Sequence, residues 1–120
     1  MALHFAAADP RVGAVAAFAP VTDLLQLSEF AGMPDDHRAR AIATHRIADK
    51  LVDRPLWMTI GAADHRVSTD RAIEFLRRLG EHAEARGRLP MAELHIVASE
   101  GHTIPDSSYP EAARWLLRQW

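Results

Sequence analysis

Apolar residues fall into short blocks along this chain, separated by proline, glycine and charge, and the blocks alternate between strand-like and helical periods. Met1 to Ala8 is an Ala-rich apolar run closed by Asp9-Pro10. The residue before a proline is pushed out of the helical region, so the run reads as the last turns of a helix. No cap residue stands ahead of Met1, and the natural start of that helix is expected upstream. Val12 to Ala19 is continuously apolar and ends at Pro20, which suits a strand covered on both faces, although its alanines also fit a buried helix. An irregular stretch follows, with a short helix near Leu24 to Phe30, a break at Gly32-Met33-Pro34 and a more polar helix from about Asp36 to Leu51.

Leu56 to Ile60 is a short β-prone run halted at Gly61. Ser68 or Thr69 then caps an amphipathic helix whose apolar face carries Ala72, Ile73, Leu76, Leu79 and Ala83, and Gly87 and Pro90 end it. Glu93 to Ala98 is a third strand candidate. The last helix opens with Ser108-Tyr109-Pro110-Glu111, a capping-box pattern with proline in the first turn, and runs to Trp120. Strand, helix, strand, helix at these lengths is the α/β signature, with about three parallel strands and covering helices in one domain over residues 1–120. In such open sheets chemistry collects beyond the carboxyl ends of the strands, at Pro20 to Asp23, Gly61 to Ser68 and Ser99 to Ser108.

Composition narrows the function classes. The chain is 48% hydrophobic and 25% charged, as globular domains are, and has no cysteine for a disulfide, a thiolate nucleophile or a cysteine-based metal site. Its 14 Lys and Arg are scattered among 16 acids for a net charge of −2, which argues against a nucleic-acid partner. No apolar run approaches the roughly 20 residues of a membrane span, and no signal-peptide pattern follows Met1, so a cytoplasmic location without membrane contact is expected. Thirteen of the 14 cations are Arg and 22 residues are Ala, a bias of GC-rich bacterial genomes.

Two of the three strand ends hold a matched pair. Gly61-Ala62-Ala63-Asp64-His65-Arg66-Val67 puts Asp64 in the turn after one strand, and Ser99-Glu100-Gly101-His102-Thr103 puts His102 after the next. Neighbouring strands lie about 4.8 Å apart, so side chains just beyond their ends can meet. An Asp that accepts from one imidazole nitrogen fixes the tautomer and stabilises the cation formed when the other nitrogen takes a proton. Taken singly, Asp64 reads as a turn acid and His102 as a loop histidine. Metal spacing is poor: His45 and Asp49 could share a helix face, but nothing joins them as a third ligand, and Asp35-Asp36-His37 reads as a loop entering a helix. His4, His82 and His95 read as surface or partly buried residues, and His65 as a flank of the acid. No phosphate-binding glycine motif occurs, no cofactor is expected, and Trp57, Trp115 and Trp120 suit core and helix packing.

Gly61-x-x-Asp64-x-x-Val67 before a helix, then a strand and Glu100-Gly101-His102 before a last helix, resembles the C-terminal half of an α/β-hydrolase, nearest to the prolyl-oligopeptidase and dienelactone-hydrolase-like serine hydrolases. Asp9-Pro10-Arg11-Val12 and Ala19-Pro20-Val21-Thr22-Asp23-Leu24 are similar to the stretch after the nucleophile helix of those enzymes. The resemblance implies that Asp64 is the triad acid and His102 the general base, acting on a small ester or peptide substrate through an acyl-enzyme. It also implies a G-x-S-x-G nucleophile elbow, which these 120 residues lack and which is expected just ahead of Met1. By analogy, Asp23 to Leu51 would cover part of the site. Ser28, Ser68, Ser99, Ser107 and Ser108 read as cap and turn residues, with Ser99 nearest His102 in sequence. The alternative is a non-catalytic α/β binding or assembly domain that keeps the pattern without the nucleophile. A further one is a site completed by a second polypeptide. Without a neighbour for the first strand, its apolar edge is open to self-association.

Overall fold

Three strands, β1 (Val15–Phe18), β2 (Leu56–Gly61) and β3 (Ala92–Val97), pair in parallel in the order β1-β2-β3. This computed structural model describes residues 2–30, 32 and 47–120. The remaining elements are α1 (Ala2–Ala8), two 3₁₀ turns at Leu24–Gln26 and Ser28–Phe30, α2 (Ala48–Leu51), α3 (Thr69–Glu84) and α4 (Ser108–Leu117). The break at Met33-Pro34, most of the helix expected from Asp36 to Leu51, and the metal-spacing candidates His37 and His45 lie outside the described residues. Among the described residues no helix is long and apolar enough to cross a membrane.

All six residues of β2 are buried, because helices cover both faces of the sheet. Leu56 and Met58 point into a cluster with Val15 and Ala17 of β1, Leu3 and Ala6 of α1, Leu51 of α2, and Phe75 and Leu79 of α3. Trp57 points the other way, onto Ala112 and Trp115 of α4, with Ala14, Ala16 and Phe18 packed around them. The period-two alternation of β1 and β2 therefore sorts their side chains between two helical layers. Each fully buried Leu, Met or Ile of β2 contributes about 1.5–3 kcal/mol. A smaller cluster of Ile60, Val67 and Ala72 closes the core beneath the turns at the carboxyl end.

Element boundaries move where backbone chemistry outweighs the apolar pattern. β1 is shorter than the apolar run because Val15 N–H enters the ladder on Pro55 O at 3.0 Å and Ala19 leaves it with a φ of 40°. The buried stripe of α3 is Ala72, Phe75, Leu79 and Ala83; Ile73 and Leu76 are only half-buried. Its C-terminus is a Schellman arrangement around Gly87, whose φ is 70°: Arg88 N–H reaches Ala83 O at 3.1 Å and Gly87 N–H reaches Glu84 O at 2.8 Å. The capping box at Ser108 is not formed. Ser108 is already helical, and the first amides are satisfied by the preceding turn, Ser108 N–H on Pro105 O at 2.9 Å and Tyr109 N–H on Asp106 O at 3.2 Å. α4 stops at Leu117, and Trp120 is 91% exposed rather than packed in the core, although its ring edge rests beside Gly13.

Arg54 fastens α1 to the sheet. Its Nη1 donates to Ala6 O, to Asp9 O at 2.8 Å and to Val12 O at 3.1 Å, gathering orphan carbonyls from the end of α1 and the approach to β1. One terminal nitrogen with two N–H groups serves three carbonyls, so at least one N–H is shared between acceptors. Arg54→Ala is expected to cost about 2–3 kcal/mol in urea unfolding, and Arg54→Lys, whose ammonium carries three N–H donors on one nitrogen, to restore part of the loss.

Candidate active site

β2 ends at Gly61, and the turn that follows is built on that residue's carbonyl. Asp64 N–H reaches Gly61 O at 3.2 Å, and the Thr69 hydroxyl donates to the same oxygen at 2.6 Å. The turn closes onto α3 when Thr69 N–H reaches Asp64 O at 3.2 Å, and the Ser68 side chain caps α3 by accepting from Arg71 N–H. The Asp64 side chain is thereby held inside, fully shielded from solvent. Its Oδ1 accepts from the amides of Arg66 at 3.0 Å and Val67 at 3.1 Å, a local Asx-type turn that leaves Oδ2 to face outward across the sheet.

The neighbouring strand delivers the partner. Ala62 N–H reaches Val97 O at 2.8 Å, so β2 and β3 remain paired to the point where both chains turn. The β3 chain then crosses directly over Gly61: a Cβ there would lie 2.2 Å from Ser99 Oγ and 3.0 Å from Gly101 O. Gly101 takes a left-handed φ of 60°, and the Thr103 hydroxyl closes the turn by donating to Glu100 O at 2.6 Å. His102 is carried over the Asp64 carboxylate, and its Nδ1 lies 2.8 Å from Oδ2. An ionised carboxylate only accepts, so Nδ1 carries the proton and the lone pair is on Nε2. The imidazole is 39% exposed, with Nε2 engaged in no hydrogen bond among the described residues. The pair inferred from the sequence is thus brought together, with the acid buried and the base accessible.

The local serines do not join it. Ser28 hydrogen-bonds Glu29 at 3.2 Å, Ser68 caps α3, and Ser99 Oγ is buried against Gly61 without a partner among the described residues. Ser107 precedes α4 and Ser108 is buried in its first turn. His65 lies beside the acid at an exposed position, while His95 stacks on Trp57 at 4.9 Å and meets Glu93 at 3.2 Å, away from the pair. Sequence reasoning passed over two structural supports of the site, Gly61 as a crossing point and Thr69 as a brace. The signal for the first was a glycine ending a short, β-prone and mostly apolar strand.

A groove of about 410 Å³ runs beside the acid turn, walled by Asp23 and Leu27 from the segment after β1, Arg66 and Val67 from the turn, and Arg71 and Glu74 from α3. An exposed ion pair, Arg66 to Glu29 at 3.0 Å, spans its two walls. Glu74 is shared by Arg78 at 3.0 Å and Arg71 at 2.7 Å, and these hydrogen bonds hold its carboxyl below the ordinary carboxylate range. The sequence matches no protein-family model and no curated protein.

Gly61→Ala is expected to push Ser99 and Gly101 outward, cost about 1–3 kcal/mol and lengthen the Asp64–His102 hydrogen bond, seen as loss of the downfield Nδ1 proton resonance in NMR. A second expectation concerns acid. A depressed carboxyl contributes stability that is present above its unfolded value near 4.5 and lost as pH falls through the lower folded value. Because the pairs are about 40% exposed, the gain is small; Glu74→Gln should lower Tm slightly at pH 7 and leave it unchanged near pH 2.

Proposed function

We propose that this chain carries the acid and the general base of a serine hydrolase of the α/β-hydrolase type. The observation that carries the reading is the 2.8 Å contact between His102 Nδ1 and a fully shielded Asp64 carboxylate at the carboxyl ends of adjacent parallel strands. Asp64 holds the imidazole in the tautomer that leaves Nε2 free, and stabilises the imidazolium that forms. His102 Nε2 takes the proton of a serine hydroxyl as that oxygen attacks an ester or peptide carbonyl. The imidazolium then returns the proton to the leaving alcohol or amine, and water enters by the same route to release the acid.

In this reading the serine stands directly ahead of α1, in the turn that follows a strand beside β1. The placement of α1 supports it. Ala2 and Leu3, at the start of α1, line one cleft with Phe18, Ala19, Pro20 and Val21 at the carboxyl end of β1. A chain entering α1 therefore arrives at the same end of the sheet as Asp64 and His102. The groove beside the acid turn supports a share for the segment after β1 in substrate selection.

The test has two parts. In-frame translation of the coding sequence ahead of residue 1 is expected to give G-x-S-x-G immediately before α1. In the protein carrying that elbow, His102→Ala and Asp64→Asn should each lower ester or peptide turnover about 10³- to 10⁴-fold and abolish fluorophosphonate labelling by His102→Ala. Wild-type turnover in both variants would remove the assignment and leave the sheet as a binding domain.

A further inference from the structure

We propose that β3 pairs antiparallel with β3 of a second copy of this chain, about a twofold axis at Leu94, joining two sheets into one. β3 ends the strand order and pairs with β2 alone among the described residues. The carbonyls of Met91 and Val97 point to β2, where Leu56 N–H and Ala62 N–H reach them at 2.8 Å. Backbone groups alternate in direction along a strand, so Glu93 and His95 also face β2, and the N–H and C=O groups of Ala92, Leu94 and Ile96 face the open edge. They have no partner among the described residues. Edges of this kind are usually blunted by lysine, proline, a bulge or a covering element. β3 contains no lysine or proline, keeps an unbroken register with β2, and leaves Ile96, and Met91 just ahead of the strand, 48% exposed.

The order of residues along β3 selects a second copy as the occupant. Met91-Ala92-Glu93-Leu94-His95-Ile96-Val97 reads apolar, apolar, acid, apolar, imidazole, apolar, apolar, and is complementary to itself when reversed about Leu94. The twofold axis sets Leu94 against the partner's Leu94, Ala92 against the partner's Ile96 and Glu93 against the partner's His95. The outward backbone groups make the first two sets hydrogen-bonded pairs. The Glu93–His95 sets fall at the closer, non-hydrogen-bonded positions, where Cα atoms approach to about 4.5 Å. Glu93 already meets His95 of its own strand at 3.2 Å, so acid and imidazole alternate around a square of four side chains, and unlike pairs across strands stabilise a sheet. A slip by one two-residue step would oppose Glu93 to Glu93 or His95 to His95, which fixes the register. Both side chains are held before association, Glu93 by Trp115 Nε1 at 2.9 Å and His95 by stacking on Trp57 at 4.9 Å, which limits the entropy lost. The outer edge of β1 offers no equivalent, since Val15–Phe18 carries no charged side chain to set a register. The inference does not rest on the hydrolase reading and survives its failure.

Sedimentation equilibrium of the wild-type protein should show a mass that rises with concentration towards the dimer. Ile96→Lys puts a charge on a half-exposed edge position and is expected to raise the dimer Kd by about tenfold or more with little change in Tm. The register has its own test, because the chain has no cysteine and a single one can be introduced cleanly. Across a hydrogen-bonded pair the Cα atoms lie about 5.5 Å apart, within disulfide reach, so Leu94→Cys should cross-link to a dimer on oxidation. Ile96→Cys should not, since its symmetry mates are separated by four residues along the strands, roughly 13 Å. Amide exchange on the wild-type protein, which requires no variant to fold, should show protection of Leu94 and Ile96 that grows with protein concentration. A protein that stays monomeric at NMR concentrations, association that Ile96→Lys leaves unchanged, cross-linking of Ile96→Cys as fast as Leu94→Cys, or exchange at Leu94 and Ile96 that ignores concentration overturns the proposal.

Discussion

The exit from β3 crosses closely over Gly61, and the candidate site depends on that crossing. β2 pairs with β3 through Gly61 and Val97, and one residue later Ala62 N–H still bonds Val97 O. A strand pair that stays in register to its end delivers both outgoing turns to the same place. The turn from β3 then passes so near that a single methyl on residue 61 would overlap Ser99 Oγ. The missing side chain lets His102 settle onto Asp64. The interior position of Asp64 follows from the same construction, since the Gly61 carbonyl that anchors the Asp64 amide also receives the Thr69 hydroxyl.

The two carboxylate oxygens of Asp64 are divided between local and long-range work. Oδ1 is consumed by the Arg66 and Val67 amides, which fix the side-chain torsions without help from the rest of the fold. Oδ2 is then aimed, and the only long-range requirement is that the β3 turn arrive beside it. A buried acceptor committed in this way holds a hydrogen bond in a single geometry, which an exposed, freely rotating carboxylate does not. His102 is the partner left 39% exposed, as the proposed role of general base requires.

Much of this was legible in the sequence, and the parts that were not share a physical cause. β2 and β3 could be placed within a residue because apolar, β-prone runs bounded by proline and glycine offer the chain few alternatives. Asp64 and His102 could be paired because parallel strands fix where turns emerge. The misplaced features are those in which a competing contact outweighed the local apolar or capping pattern. β1 starts late because Val15 is the residue that enters the ladder, on Pro55 O, while the Val12 carbonyl is taken by Arg54, 42 residues away. The Ser108 capping box goes unused because carbonyls of Pro105 and Asp106 reach the amides first. Phe75 takes the core position that an i, i+4 reading gave to Leu76, since the direction of the buried stripe is set by what α3 packs against, here Leu51 and Met58. Local pattern determines which residues form an element, while turn hydrogen bonds and tertiary packing shift its ends and its buried face.

The strained backbone of the molecule follows the same division. Among the described residues, Ala19 and Ser68 are the non-glycine positions with positive φ, at 40° and 64°. Ala19 ends β1, Ser68 lies between the acid and α3, and Gly101 at 60° precedes the base. All three lie at the carboxyl end of the sheet, where the chain must leave a regular ladder abruptly to present side chains above it. Such conformations cost of order 1–3 kcal/mol at a non-glycine residue and persist only where the surroundings over-determine them. At Ala19 the surroundings are a 2.8 Å hydrogen bond to Thr59 O, and at Ser68 the cap of α3. The opposite end of the sheet, held by the Arg54 clamp and the Schellman turn at Gly87, shows no comparable strain at a described non-glycine residue. The strained positions thus gather at the carboxyl end of the sheet, the end at which Asp64 meets His102.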